Sequence, residues 1–230
     1  MKKSYLLAAL IFFLAGLLHG TAFAMSGKSS KALNEAAEQG DLAKVKNLVQ
    51  KNKIDLNAQD ETGMTPLMNA AMGGNLDIVK FLLSKKVNLE LKNNGGETAL
   101  AFAVTNDAYD VAEELIKAGA NVDIIVAGDE GDTLFMRAAQ NNKKTAESIL
   151  AKNKSLINKA NTLGETALFA VARYGTPADI DFLIKKGADL KLKNKKGQTA
   201  LDVAKEASNQ DTAKALSKKK LEHHHHHHHH

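Results

Sequence analysis

Residues 65–74 read Thr65-Pro66-Leu67-Met68-Asn69-Ala70-Ala71-Met72-Gly73-Gly74. Thr65 can cap a helix whose first residue is Pro66, where a missing N–H costs nothing. Leu67, Ala70 and Ala71 give that helix a slim apolar face, and Gly73-Gly74 supplies a left-handed residue to end it. A second helix is predicted over Leu76–Ser84, with Leu76, Val79 and Leu83 at i, i+3 and i+7 and Ile78 and Leu82 widening the stripe. The pair is too short to bury its own apolar face. It needs copies of itself alongside.

The copies are present. Thr98 opens TALAFAV, Thr133 TLFMRAA, Thr166 TALFAVA and Thr199 TALDVAK, at successive steps of 33, 35, 33 and 33 residues from Thr65. Leu33–Gly40 (LNEAAEQG) matches Leu67–Gly74 at a step of 34, without the Thr. This spacing, with its T-P-L-x-x-A-A opening, resembles the ankyrin repeat, a β-turn plus two helices. The second-helix endings Lys117-Ala118-Gly119-Ala120-Asn121-Val122 and Lys186-Gly187-Ala188-Asp189-Leu190 are similar to the same family's K-x-G-A-D-V. The resemblance covers about residues 30 to 217 in six registers and implies an all-α solenoid with short β-hairpin fingers. One departure recurs: the family's His after T-P-L is Met68, Ala101, Met136, Phe169 and Asp202 here.

The flanks read differently. Lys2 and Lys3 precede an apolar run, Tyr5–Leu18, and Ala22-Phe23-Ala24 has the A-x-A form of a cleavage site, so residues 1–24 are expected to be a secretory signal peptide. The run is shorter than the ~20 residues of a membrane-spanning helix. Leu221-Glu222 and His223–His230 read as an expression tag, residues 221–230. A single repeat domain is left over residues 25–220, with units near 28–60, 61–93, 94–128, 129–160, 161–193 and 194–220. Without Lys2, Lys3 and Glu222 it has 29 basic and 25 acidic residues, a net +4. It has no His, since eight of the nine are tag and the other is His19, and no Cys or Trp.

The terminal units are expected to carry polar flanks, as solenoid caps do. In the first, a polar lead at Ser26–Ser30 precedes helices at Lys31–Gln39 and Asp41–Gln50. In the last, Thr212–Leu216 makes the second helix and Lys218–Lys220 a solvated tail. Between units, turns should project as fingers. Their tips are Asp60–Gly63, Asn93–Gly96, Asp129–Asp132, Asn161–Gly164 and Asn194–Gly197, each with a Gly for the positive φ of a tight reversal. The third has two extra residues and is approached by Ile124, Ile125 and Val126, expected either to pair across a lengthened hairpin or to touch a partner.

Chemistry of its own is not expected. Ser–His and Cys–His nucleophile pairs, and imidazole or thiolate metal sites, need residues the domain lacks. The run Asp129-Glu130-Gly131-Asp132 lacks the D-x-D-x-D-G spacing and later Glu of a calcium loop, so it reads as a solvated turn. No Gly-rich phosphate loop occurs, and no cofactor or metal is implied. Lysines interspersed with acids over many faces argue against nucleic acid.

Recognition by surface remains. The family resemblance implies a concave face built from finger tips and first helices. Carried across by register, it is Gln59, Glu61, Thr62, Met64, Met72 and Gly73, then Lys92, Asn94, Glu97, Thr105 and Asn106. It continues with Asp129, Glu130, Asp132, Gln140 and Asn141, then Thr162, Leu163, Glu165, Arg173 and Tyr174, and ends with Lys193, Lys195, Lys196 and Gln198. The only two arginines, Arg137 and Arg173, fall on first helices of adjacent units, and Arg and Tyr are enriched at interface hot spots. Arg137 has the alternative of lying over its neighbours' apolar edge. Met64 and Met72 have the alternative of filling the core, as methionines more often do, although their position favours exposure.

Export, size and repeat count are similar to the small periplasmic ankyrin immunity proteins of predatory bacteria, which protect their owner from its own peptidoglycan-cutting endopeptidases. That resemblance implies a monomeric, periplasmic, non-enzymatic module that binds and inhibits a folded exported enzyme such as a cell-wall hydrolase. The alternatives are a non-inhibitory scaffold or stress-defence accessory, and a secreted effector directed at a host.

Overall fold

In the computed structural model, residues 27–126, 128 and 130–227 are described. The proposed signal peptide, residues 1–24, lies outside them, as does Asp129. The described residues form six helix pairs: α1 (27–39) with α2 (Leu42–Lys51), α3 (Pro66–Met72) with α4 (Leu76–Ser84), α5 (Ala99–Thr105) with α6 (Tyr109–Lys117), α7 (Leu134–Asn141) with α8 (Lys143–Lys152), α9 (Ala167–Tyr174) with α10 (Pro177–Lys185), and α11 (Ala200–Glu206) with α12 (Gln210–His227). A short 3₁₀ turn, Lys154–Asn158, follows α8.

The inner helices α3, α5, α7, α9 and α11 are only two turns long, so packing rather than propensity must hold them. Each begins at its Thr. The hydroxyls of Thr65, Thr98, Thr133 and Thr199 accept from the backbone N–H three residues on. Thr166 makes no such bond. Gly74, at φ +67, ends the second unit's inner helix in the left-handed conformation read for it.

Inner helices stack in series, α3 on α5, α5 on α7, α7 on α9 and α9 on α11. Buried Ala70, Ala103, Ala138 and Ala204 recur at one position of these helices, and their small side chains let neighbouring backbones approach. Phe135, Phe169, Leu100 and Leu134 are among the largest side chains fully buried in the core. Outer helices pack α2 on α4, α4 on α6, α6 on α8 and α10 on α12. Lys143–Asp179 (3.1 Å) and Lys186–Glu147 (3.3 Å) bridge α8 to α10.

Polar clamps reinforce both ends of the stack. In the second unit, Asn75 Nδ2 donates to Ala37 O (2.7 Å) and Glu38 O (2.9 Å), satisfying carbonyls at the end of α1. In the last unit, Asn209 Nδ2 donates to Gly175 O (3.1 Å) and the buried Thr212 hydroxyl to Ala172 O (2.6 Å), which does the same for α9.

The terminal helices correct two sequence expectations. The lead before Lys31 is helical from residue 27, and Ser29 Oγ reaches Asn52 Oδ1 at 3.4 Å. Lys218–Lys220 is not a separate tail, because α12 runs through it as far as His227. Lys219 is paired there with Asp181 (3.4 Å) and Glu222 (3.7 Å). Among the described residues no helix is long and apolar enough to cross a membrane.

Candidate functional site

The fingers reverse direction with almost no strand ladder. Among the described residues the one β-bridge joins Ile125 to Thr133. Asx side chains do the work instead. Asn93 Oδ1 accepts from Gly95 N (3.1 Å) and Glu97 N (2.8 Å), while Asn93 N donates to Glu97 O (3.0 Å). Asn161 and Asn194 repeat the arrangement, and Asp60 supplies it with a carboxylate that accepts from Thr62 N and Met64 N (both 2.9 Å). Backbone N–H groups that a strand would pair are thereby satisfied within each tip.

Adjacent tips are stitched together. Asn94 N donates to Thr62 O (2.9 Å) and its side chain to Glu61 O (2.9 Å). Thr162 donates to Glu130 O through its N–H (2.9 Å) and its hydroxyl (2.7 Å), Asn161 Nδ2 reaches Asp132 Oδ1 (2.9 Å), and Lys195 N reaches Leu163 O (3.0 Å). Among the described residues no such bond joins the 93–97 tip to the 128–132 tip. The two extra residues are taken up there by pairing: Val126 N donates to Asp132 O and Leu134 N to Ile124 O, both at 2.9 Å. Val126 is buried, Ile124 packs on the core, and Ile125 points out with 56% of its surface exposed.

Of the residues predicted for the face, Glu61, Thr62, Lys92, Asn94, Glu130, Gln140, Asn141, Leu163 and Tyr174 are exposed. Met72, Glu97, Asp132, Arg137 and Arg173 are half-buried, Met72 packing on the core rather than standing exposed, and Asp129 falls outside the described residues. Two expectations are corrected. Met64 is 9% exposed, because the next finger folds over it and brings Asn93 Nδ2 to 3.6 Å from its sulfur. Glu165 is 6% exposed and faces inward, since two side chains need its carboxylate.

Those two are Arg173 and Asn194. The guanidinium grips Glu165 with two bonds, Nη1 to Oε1 at 2.9 Å and Nη2 to Oε2 at 3.2 Å, and Asn194 Nδ2 adds a third to Oε2 at 2.9 Å. Burial pushes the Glu165 carboxyl up, but hydrogen bonds from Arg173 and Asn194 and the charge of Arg173 outweigh it, so its pKa lies below the ordinary value. The network continues from Asn194 through Gln198 to Glu206. Arg173 is thus a strut within its own unit before it is a contact, and Asn194 carries the link to the next unit. Its guanidinium also lies 6.0 Å from the centre of the Tyr174 ring, and that ring is 78% exposed.

A second cluster escaped the sequence reading. Tyr109, at the start of α6, donates its hydroxyl to Asp107 (3.3 Å). Burial first, then the Asp107 charge, raises its pKa to about 12, against the opposing influence of Asn141 and Arg137. Arg137 and Asn141 of α7 thus act on the Tyr109 hydroxyl of the preceding unit. A signal was available: Asp107 (φ +57) takes the left-handed position held by Gly40 and Gly74 in the first two units.

No group of His, Cys, Asp and Glu suited to holding a metal occurs among the described residues. The arrangement is an extended edge of backbone-stitched tips backed by inner helices, with an aromatic side chain projecting near one end. Such an edge can grip a protein surface.

Comparison with known proteins agrees. A family model described as ankyrin repeats (3 copies) matches residues 33–125 and again 131–226. Human ankyrin repeat domain-containing protein 7 is 43% identical over 58 residues, 25% of this chain and 23% of that protein. A putative ankyrin repeat protein of Coxiella burnetii is 35% identical over 83 residues, 36% of this chain and 24% of that one. Human NAD-capped RNA hydrolase NUDT12 is 42% identical over 67 residues, 29% of this chain but 14% of that enzyme. The chain therefore spans under a quarter of the length of each of these relatives. Proteins of the matched family are in general binding modules without catalysis, and with two matches that together take in most of its length, this chain belongs to the ankyrin repeat family.

Proposed function

We propose that this protein is exported to the periplasm, where it binds a folded enzyme along its finger edge and inhibits it. The partner class is a peptidoglycan endopeptidase, and the role is protection of the producing cell from that enzyme. The observation that carries the reading is Tyr174: a large amphipathic ring, 78% exposed, standing on an inner helix beside an arginine fixed by Glu165. An exposed aromatic beside a fixed arginine has the composition of an interface hot spot. Support for export comes from the sequence alone, through the Lys2-Lys3 start, the Tyr5–Leu18 run and the Ala22-Phe23-Ala24 site. A repeat domain without His or Cys acts on another protein by occupying it.

The test is retention of periplasmic proteins on the immobilised protein, followed by a peptidoglycan-digestion assay with the purified partner. The expected result is a one-to-one complex in which hydrolysis stops and is restored by Tyr174→Ala. A partner held at full turnover would replace inhibition with scaffolding.

A further inference from the structure

The charge of the finger edge is divided along its length. Among the described residues, the first three fingers (59–64, 92–97 and 128–132) carry the carboxylates of Asp60, Glu61, Glu97, Glu130 and Asp132 against one cation, Lys92. The last finger (193–198) reverses the sign, with Lys193, Lys195 and Lys196 and no carboxylate. None of these nine groups belongs to an ion pair among the described residues. The fourth finger separates them as a neutral spacer, because Arg173 cancels Glu165 and Asp123 pairs with Lys159. The acidic end stays ionised: burial tends to raise the Asp60 pKa, yet hydrogen bonds from Met64 N and Thr62 hold it below its ordinary value.

We infer that the finger edge recognises a folded protein of bipolar surface, with a lysine- or arginine-rich patch on the first three fingers and an acidic patch on the last. This rests on the reading above that the finger edge is the partner-binding face, and adds the partner's chemistry and orientation. Opposite signs at the two ends attract one orientation and repel the reverse, which is how charge gives specificity and speeds encounter. A second copy of this chain meets the pattern only in part: laid antiparallel about a two-fold axis, its last-finger lysines would face Asp60 and Glu61, but the third finger, the middle one of five, would set Glu130 and Asp132 against themselves.

Two peptides probe this without the natural partner, hexalysine and hexaglutamate, titrated into the ¹⁵N-labelled protein at low and high salt. Hexalysine should shift the amide signals of residues 60–62, 94–97 and 130–132, and hexaglutamate those of 193–197, both more weakly as salt rises. Glu61→Lys with Glu130→Lys should weaken hexalysine by roughly fivefold or more and spare hexaglutamate, and Lys193→Glu with Lys195→Glu should do the converse. The inference is overturned if hexalysine maps to outer-helix acids such as Asp77 and Asp110, or hexaglutamate to outer-helix lysines such as Lys80 and Lys144. It is equally overturned if the variants leave both affinities unchanged, or if a short oligothymidylate binds the last finger more tightly than hexaglutamate. The peptides are not enzymes, so a failure here would leave the inhibition reading standing. A failed digestion assay would likewise leave the charge map standing.

Discussion

Arg173 and Glu165 hold each other across eight residues of sequence, the guanidinium on the last turn of α9 gripping with two bonds a carboxylate at the base of the fourth finger. Asn194 of the next finger donates to the same carboxylate, so one acid ties together a helix and two fingers. Removing one partner leaves the other desolvated and underpaired. Arg173→Ala is expected to destabilise the fold by about 2 kcal/mol, the cost of a buried acceptor deprived of its donors. Urea unfolding of the variant checks this, and an unchanged midpoint would deny the strut its role.

The same ion pair gives acid stability a direction. The folded Glu165 pKa lies below the ordinary 4.5, so the unfolded chain takes up this proton at a higher pH than the folded one does. Its contribution is full above about pH 4.5 and is lost as pH falls through the depressed folded value. The stability gap between the protein and Glu165→Gln should therefore be constant near neutrality and shrink below that point. Thermal melts of both across the acid range measure it.

Tyr174 is the opposite case. Its ring is almost free of the protein, so Tyr174→Ala should change stability by less than about 0.5 kcal/mol. If the ring is a hot spot, the same substitution weakens partner binding by about 2 kcal/mol or more, roughly thirtyfold. Calorimetric titration of the purified partner separates the two effects. A loss of fold with a loss of binding would make Tyr174 a structural residue instead.

The helices and the finger positions were legible in the sequence because each rests on local chemistry repeated at one period: a capping Thr, a two-turn apolar stripe, a Gly at each tip. What the sequence hid depends on neighbours outside the local turn, several of them a full repeat away. Glu165 reads as one more exposed turn residue until Arg173 and Asn194 converge on it. Met64 reads as surface until the following finger folds over it. Tyr109 falls in the outer helix of one unit, whereas Arg137 and Asn141, which act on its hydroxyl, belong to the next. The Asx tips show why hairpin signals produced almost no ladder, since Asn93, Asn161 and Asn194 satisfy the N–H groups that strands would have shared.

The joint between the first two units rests on the space left by Gly73. Its φ is −77°, which any residue can adopt, but a Cβ there would stand 2.5 Å from Glu38 O and 2.6 Å from Asn75 Nδ2. The first obstacle is backbone and the second is the side chain that caps α1, so neither yields without parting the units. Gly73→Ala should cost about 2 kcal/mol, as overpacking does. Hydrogen exchange should show faster opening in α1 and α2 while α9 and α11 keep their protection, because a solenoid transmits damage only to its neighbours. Uniform loss of protection would mean that the stack opens as one unit.

Lys86 offers a gain in stability. It follows α4 at φ +55, in the position that Gly119 and Gly187 occupy after α6 and α10, both at φ +101. A Cβ in the left-handed region costs on the order of 1 kcal/mol, and the exposed Lys86 side chain makes no contact that offsets it. Glycine removes that strain and gives back part of the gain through the greater freedom of the unfolded chain. Lys86→Gly should still raise stability by roughly 0.5 kcal/mol or more. Lys86→Ala is the control, since it removes the long side chain but keeps the Cβ. Denaturant midpoints that rise for glycine and not for alanine would assign the strain to the backbone, and equal midpoints would mean that the turn relaxes around either residue.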